Sequence, residues 1–274
     1  MSDIKAKISD NLQKKGNPKI FKKNAIKGIK FALMISSAKG GVGKSTFAIN
    51  LTFALQKLGK KVGLLDADIH GPSLPKMIGL NEKPKTDGKF LFPLKKYGAE
   101  FMSLGFLVDE KTPMIWRGPM VISAIKTLTQ KVNWDNLDFL VIDMPPGTGD
   151  TQLTFAQDIK IDGAIIVSTP QELALMDVQR GIQMFDKTKI KILGLVDNMS
   201  FFKTEDGKKH NIFGEGGVEK TAKEFNKKFL GKIPISTKLR ESADLGLPLT
   251  YKEPDHEISK VFNEIADKII QDVV

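Results

Sequence analysis

The sequence predicts a doubly wound α/β domain with a mostly parallel sheet, because short apolar runs alternate with helical stretches. Five runs fit buried strands, at residues 29–36, 62–66, 139–143, 164–168 and 192–196. A helix is predicted from Lys44 to about Leu58, between the first two runs. Alternation of this kind is typical of βαβ units, in which ligands bind beyond the carboxyl ends of the strands. Polar and Gly/Pro-rich residues follow the runs, so a binding site is expected at that edge.

Two segments do not follow this alternation. Residues 89–107 favour short strands or a hairpin over a helix. At the start of the chain, Ile4, Ile8 and Leu12 have helical spacing, and the Gly-Asn-Pro sequence at 16–18 interrupts it. A short helix or a frayed tail is therefore predicted there.

The formal charge of +10 is concentrated in two stretches. Residues 1–30 carry nine lysines and two aspartates, and residues 203–232 carry eight lysines and five acidic residues. We therefore divide the chain into a basic N-terminal arm (1–25) and one folded domain (26–274), to which the motifs described below belong. A basic arm can contact the phosphates of nucleic acid or anionic lipid. Because no aromatic residues alternate with the lysines, we interpret it as a solvated leader and expect neither nucleic acid nor membrane as a partner.

The composition excludes several classes of protein. No apolar stretch approaches the ~18 residues that span a bilayer, and no signal-peptide pattern is present, so a cytoplasmic protein is expected. The chain contains no cysteine. Disulfides, thiolate metal sites and cysteine nucleophiles are therefore excluded.

The strongest motif is KGGVGKST at 39–46, which we call the phosphate loop, directly after a predicted strand. Its backbone N–H groups and the following helix N-terminus are suited to a di- or triphosphate. In this motif Lys44 reaches the β- and γ-phosphates and the Ser45 hydroxyl binds Mg²⁺. Ala38 occupies the first glycine position of the usual pattern. The predicted nucleotide-binding residues of the loop are Lys39, Gly40, Gly41, Val42, Gly43, Lys44, Ser45 and Thr46.

Three aspartates follow predicted strands at the same edge. Asp143 is the predicted Mg²⁺ aspartate, because P-loop proteins hold the metal with an aspartate at a strand end. Asp66 is predicted to brace the metal shell together with Ser45, and Asp68 to orient the attacking water. Residues 145–149 (Pro-Pro-Gly-Thr-Gly), here called the switch loop, are interpreted as the sensor of the γ-phosphate.

From about residue 29 onward the chain resembles the Mrp/ApbC branch of the MinD/ParA-type ATPases. The motifs that carry the resemblance are KGGVGKST, DADIHGPS at 66–73, WRGP at 116–119, IDMPPGTGD at 142–150, TPQELALMDV at 169–178, DNMSFF at 197–202 and IFGEGG at 212–217. The resemblance implies a dimeric ATPase that assembles or carries iron–sulfur clusters. It also implies that Lys39 reaches the phosphates of the partner subunit, and that Asn198 and the segment around Pro234 contact adenine.

The sequence departs from this family at one place. Members commonly carry a C-x-x-C pair just after the NMS-x-F segment, whereas residues 203–207 read Lys-Thr-Glu-Asp-Gly. A cluster held by four cysteines therefore cannot form, and no iron–sulfur ligand is assigned. Glu205, Asp206 and His210 were considered as iron ligands, but a solvated loop is the preferred interpretation. His70 and His256 are interpreted as ordinary polar residues, with a minor role for His70 beside Asp68 left open.

The alternative is a MinD- or ParA-like positioning ATPase that binds membrane or DNA. The apolar stripe near the C-terminus, from Ile258 to Val273, is suited to a surface-inserting helix. Its polar face mixes acidic residues with lysines, which an anionic membrane does not favour. We therefore expect the stripe to pack on the sheet. The preferred function is a homodimer that binds MgATP, hydrolyses it and acts with iron–sulfur scaffold or client apoproteins.

Overall fold

The computed structural model describes residues 23–68, 71–107, 118–147 and 149–274. Most of the predicted basic arm, and with it the helix predicted from Ile4, lies outside these residues. The boundary at residue 25 stays a prediction.

Within the described residues nine strands form one sheet. They are β1 (Ile29–Ser36), β2 (Val62–Asp66), β3 (Leu94–Lys96), β4 (Ala99–Ser103), β5 (Leu137–Asp143), β6 (Gly163–Ser168), β7 (Ile192–Lys203), β8 (Lys209–His210) and β9 (Phe229–Ile235). The helices are α1 (Lys44–Lys57), α2 (Leu74–Met77), α3 (Gly118–Gln130), α4 (Asp150–Asp158), α5 (Glu172–Thr188), α6 (Gly217–Glu224), α7 (Thr237–Asp244), α8 (Leu249–Lys252) and α9 (Glu257–Val273). A 3₁₀ turn covers Leu104–Phe106.

The order of strands in the sheet is β3-β4-β2-β5-β1-β6-β7-β8, and β9 also pairs with β7. Six of the eight strand pairs are parallel, and only β3–β4 and β7–β8 are antiparallel. The predicted doubly wound, mostly parallel sheet is thus confirmed. The hairpin expected within 89–107 is the β3–β4 pair.

One predicted strand is much shorter than the observed one. The apolar run ends at Val196, but β7 continues to Lys203. Beyond Val196 the apolar run is interrupted by Asp197, Asn198 and Ser200, a pattern that favours a loop, yet pairing with β9 and β8 keeps this stretch extended. Tertiary pairing therefore overrides the local pattern.

Side chains of the central strand β1 alternate between two apolar cores. Leu33 and Ile35 pack on the side of α1 and α9, and Ala32 and Met34 pack on the side of α3 to α6. Both faces of a parallel strand are covered by helices in such folds, which explains why β1 reads as one apolar run.

The apolar stripe of α9 packs inside the molecule, as the sequence predicted. Ile258, Phe262, Ile265 and Ile269 are buried, and the helix contacts α1 and β9. His256 caps this helix, since its Nδ1 accepts a hydrogen bond from the N–H of Ile258 at 3.2 Å. Among the described residues no helix is both long enough and apolar enough to cross a bilayer.

Candidate nucleotide site

The phosphate loop leaves the central strand β1 and continues directly into α1. Gly41 and Gly43 both have φ of +80°, a conformation that favours glycine. Gly43 precedes the first turn of α1, where no side chain caps the helix and no acidic residue is present. The free N–H groups and the partial positive charge of this helix end are therefore available to an anion.

Asn198 on β7 fixes the loop from the neighbouring part of the sheet. Its Nδ2 donates a hydrogen bond of 2.7 Å to the carbonyl oxygen of Val42. A Cβ atom added to Gly43 would collide with the same amide nitrogen. Glycine is thus required at 43 by close approach as well as by its backbone conformation. The adenine contact predicted for Asn198 stays a prediction, and its observed contact is with the loop backbone.

Lys44 and Asp143 form a buried ion pair at the start of α1. The Lys44 Nζ donates to Asp143 Oδ1, and both side chains are almost fully buried. Burial raises the pKa of Asp143, while the Lys44 charge and hydrogen bonds from Lys44 and Ser45 oppose that rise. The predicted phosphate lysine and two of the three predicted metal residues, Ser45 and Asp143, are therefore brought together.

Asp66 lies next to Asp143 because their strands, β2 and β5, pair in register. One of its oxygens accepts from the N–H of Asp68 at 3.0 Å, and the other accepts from the Ser103 hydroxyl at 3.0 Å. The N–H of Leu74 also donates to Asp66, at 3.3 Å. Burial and the Asp143 charge raise the pKa of Asp66 to about 7. These bonds hold the Asp66 carboxylate in place beside Asp143, and its role in a metal shell stays a prediction.

Asp68 carries a carboxylate oxygen that suits a further ligand. Its Oδ1 is buried and has no hydrogen-bond partner among the described residues. The charge of Asp68 acts on Asp143, so both carboxylates share one electrostatic environment. A divalent cation or an ordered water fits such a donor set, because both bind carboxylate oxygen. His70 lies outside the described residues, so its role stays a prediction.

Residues of the switch loop are tied to the end of β1. The N–H of Gly147 donates to the carbonyl oxygen of Ser37 at 2.8 Å. Gln152 is buried; it accepts from the Ser36 hydroxyl at 2.9 Å and donates to the carbonyl oxygen of Pro145 at 2.5 Å. The sequence patterns indicated neither Gln152 nor Ser103, because an isolated polar residue near a helix start or strand end carries no motif. Thr148 lies outside the described residues.

A cavity of about 410 Å³ opens beside the phosphate loop. Gly43, Thr46, Asn198 and Pro234 contribute to its wall, as do residues of α7. Asn198 and Pro234, the two residues for which the resemblance implies an adenine contact, both line this cavity, and the contact itself stays a prediction. Lys39 is exposed on the loop.

The segment that replaces the C-x-x-C pair is a closed hairpin turn between β7 and β8. The N–H of Thr204 donates to the carbonyl oxygen of Lys208 at 2.9 Å, and the Thr204 hydroxyl bonds to Asp206. That hydroxyl and Lys208 lower the pKa of Asp206. Glu205 and His210 are exposed, and the described residues contain no group of three or more His, Cys, Asp and Glu side chains placed to hold a metal. The considered ligand set of Glu205, Asp206 and His210 is thus not assembled.

Comparison with known proteins identifies relatives along most of the chain. A family model described as "ParA: NUBPL iron-transfer P-loop NTPase" matches residues 28–270. An iron–sulfur cluster carrier protein from Haemophilus influenzae is 47% identical over 248 residues, which cover 89% of this chain and 67% of the relative. The mouse (Mus musculus) iron–sulfur cluster transfer protein NUBPL is 46% identical over 254 residues, which cover 91% of this chain and 80% of the relative.

Solved structures of similar fold also match most of the chain. A nucleotide-binding protein from Archaeoglobus fulgidus, in complex with ADP, superposes with a TM-score of 0.74 at 38% identity. The match covers 86% of this chain and 93% of the other. The cell division ATPase MinD of Pyrococcus furiosus has a TM-score of 0.64 at 22% identity, covering 88% of this chain and 99% of MinD, which shows a shared fold.

Proposed function

Because the chain belongs to the NUBPL iron-transfer P-loop NTPase family, we propose that it binds and hydrolyses MgATP as a homodimer and acts in iron–sulfur cluster assembly or transfer to apoproteins. The observation that carries this proposal is the buried Lys44–Asp143 pair at the base of a glycine-rich loop. A buried lysine and aspartate beside an uncapped helix N-terminus are the groups that a bound nucleotide and its metal require.

Each residue of the site has a separate task in this proposal. Lys44 and the loop N–H groups bind the phosphates, and Ser45 and Asp143 would hold Mg²⁺, with Asp66 bracing the metal shell. The metal supplies charge that stabilises the transferring phosphoryl group. Asp68 offers its unpartnered carboxylate oxygen to the attacking water, which it orients.

Lys39 is the reason for proposing a dimer. The loop needs one lysine for its own phosphates, and that residue is Lys44, which is buried. Lys39 is exposed. An exposed cation on the phosphate loop is suited to reach the phosphates of a second subunit, as an arginine finger does in other P-loop proteins.

The role in cluster transfer differs from that of a protein that holds the cluster itself. Thiolates are the normal ligands of iron–sulfur clusters, and this chain contains no cysteine. The residues present therefore do not fit a resident cluster. In our proposal a scaffold or client supplies the thiolates, and this chain supplies the nucleotide-driven change of shape.

ATP turnover measured with and without a cysteine-bearing, cluster-loaded scaffold protein tests this function. We expect slow Mg²⁺-dependent turnover by the isolated protein and a change in rate when the scaffold is added. Absence of nucleotide binding would contradict the ATPase assignment. If ATP binds but the rate of turnover is unchanged by every scaffold tested, only the iron–sulfur role is contradicted.

The alternative of a membrane-positioning ATPase has no observation in its favour among the residues that the structure describes. It relied on the apolar stripe of α9, and Phe262 and Ile265 of that stripe are each only 1% exposed. A helix that inserts into a membrane surface needs this face free.

A further inference from the structure

Two connections of different kinds, made by three hydrogen bonds, join the switch loop to the end of β1. One joins backbone to backbone, from the N–H of Gly147 to the oxygen of Ser37. The other passes through a side chain, because Gln152 donates to the oxygen of Pro145 and accepts from the hydroxyl of Ser36. Ser36 is the last residue of β1, immediately before the chain enters the phosphate-loop region.

The loop sequence makes the glutamine contact hard to replace. Pro145 and Pro146 have no N–H groups, so backbone hydrogen bonds from this part of the loop can use only carbonyl oxygens. Gln152 is only 1% exposed, so water cannot substitute for its amide. The Gln152 side chain must donate a hydrogen bond to the Pro145 carbonyl and accept one from the Ser36 hydroxyl. A carboxamide can do both.

We propose that Gln152 is the positioning residue of the nucleotide switch: it clamps Pro145 to Ser36, so that only the Gly147 end of the loop is released on nucleotide binding. This inference rests on the proposed ATP hydrolysis. Gly147 has φ of +95° and open space around its Cα, so its N–H can turn from the Ser37 oxygen towards an anion on the phosphate loop. Pro145 stays fixed, and Asp143, two residues earlier, keeps its place.

The test compares the variants Gln152→Ala and Gln152→Glu with the wild-type protein. Neither substitution touches the phosphate loop, so the affinity for ADP, measured by calorimetry, should stay within about threefold of wild type. The value of kcat should fall by about tenfold or more, because the Pro145 carbonyl loses its partner. Amide exchange at Gly147, followed in the nucleotide-free protein, should accelerate by a similar factor.

The Gln152→Glu variant separates positioning from mere packing. An ionised glutamate only accepts hydrogen bonds, whereas a protonated one donates to Pro145 again. Its kcat relative to Gln152→Ala should therefore rise as pH falls from about 8.5 to about 5.5. A side chain that only fills space would show no such recovery.

Gln56→Ala is the matched control. Gln56 also donates from its amide to a backbone oxygen, that of Tyr97 at 2.9 Å, but it lies near the far end of α1. This variant should keep wild-type kcat and Gly147 exchange. The inference is overturned if both Gln152 variants keep wild-type Gly147 exchange, or if ADP binding is lost together with kcat. If the wild type binds no nucleotide, the proposed function fails, while the exchange measurement still decides the role of Gln152.

Discussion

The phosphate loop and the 203–210 hairpin lie at the same edge of the sheet, but their polar side chains are organised in opposite ways. Around the phosphate loop, Lys44 and Asp143 are buried and paired with each other, and Asp66 is buried beside them with hydrogen bonds from Ser103 and from the Asp68 N–H. In the hairpin, polar groups are exposed and bond within a single turn, as Thr204 does with Asp206. Burying charge is costly unless the charges are paired, so the first arrangement indicates a binding site. The hairpin carries no such constraint.

This difference indicates which part of the proposed activity the chain itself provides. The acidic residues of the candidate nucleotide site, Asp66 and Asp143, lie opposite each other on paired strands. The hairpin contains no cysteine, although members of the Mrp/ApbC branch commonly carry cysteines there. The following predictions test the contrast, from the largest expected effect to the smallest.

Loss of Lys44 should have the largest effect. Lys44→Ala should weaken ATP binding by about a hundredfold or more, since it removes the phosphate cation and leaves the buried Asp143 without its countercharge. Asp143→Ala should retain ATP but lose both the Mg²⁺ requirement and turnover. Titration calorimetry with ATP, with and without Mg²⁺, measures both effects. Unchanged affinity in Lys44→Ala would remove the phosphate-site assignment.

Lys39→Ala should affect turnover rather than binding. ATP affinity should stay within about tenfold of wild type, because the side chain is exposed and Lys44 remains in place. ATP-dependent dimers and most hydrolysis should be lost. Light scattering with ATP and a turnover assay check this. Full dimerisation and normal turnover in the variant would end the two-subunit mechanism.

The 203–210 hairpin should bind no iron–sulfur cluster. After anaerobic incubation with iron and sulfide, the isolated protein should remain colourless, without sulfide-to-iron absorption, because it has no thiolates. A variant with cysteines in place of Lys203 and Asp206 provides a positive comparison, since it restores a C-x-x-C spacing. A stoichiometric cluster on the unaltered dimer would contradict this prediction and direct attention to His210.

The smallest effect concerns stability, at Asp197 on β7, the strand that runs between the two regions. This residue is 1% exposed, and neither carboxylate oxygen has a hydrogen-bond partner among the described residues. Burial raises its pKa to about 7, Lys232 opposes the rise, and Glu219 adds to it. The folded protein therefore holds a proton that the unfolded chain releases near its ordinary pKa. The contribution of Asp197 to the free energy of unfolding is therefore most favourable below about pH 4 and is lost as the pH rises to about 7.

Asp197→Asn should remove that pH dependence. The variant should be more stable than wild type at about pH 8, by about 1 to 2 kcal/mol, and the difference should narrow towards about pH 4. Thermal unfolding at several pH values measures it. Asp267→Asn, at an exposed position on α9, is the control and should change little. If the difference in stability between the variant and wild type does not vary with pH, Asp197 is not protonated in the folded protein.

Several parts of the site could be predicted from the sequence because their chemistry is local. The phosphate loop is continuous in sequence, and glycines at 41 and 43 have the positive φ that the motif needs. Asp66 and Asp143 follow apolar runs, so their place at the carboxyl edge of the sheet follows from the alternation of strands and helices. Elements in which polar residues interrupt the apolar pattern, such as the end of β7 beyond Val196, were not predictable in this way.

The sequence by itself therefore determined the class of fold, the phosphate loop and the edge of the sheet at which the acidic residues lie. Only the tertiary structure decided that β5 lies between β1 and β2, which brings Asp66 beside Asp143 and Lys44 onto that pair. It also decided the contact of Asn198 with Val42, 156 residues away, and the clamp formed by Gln152. The physical reason is that turns and loop conformations depend on a few neighbouring residues. Strand order and buried hydrogen bonds between distant residues depend on the packing of the whole chain.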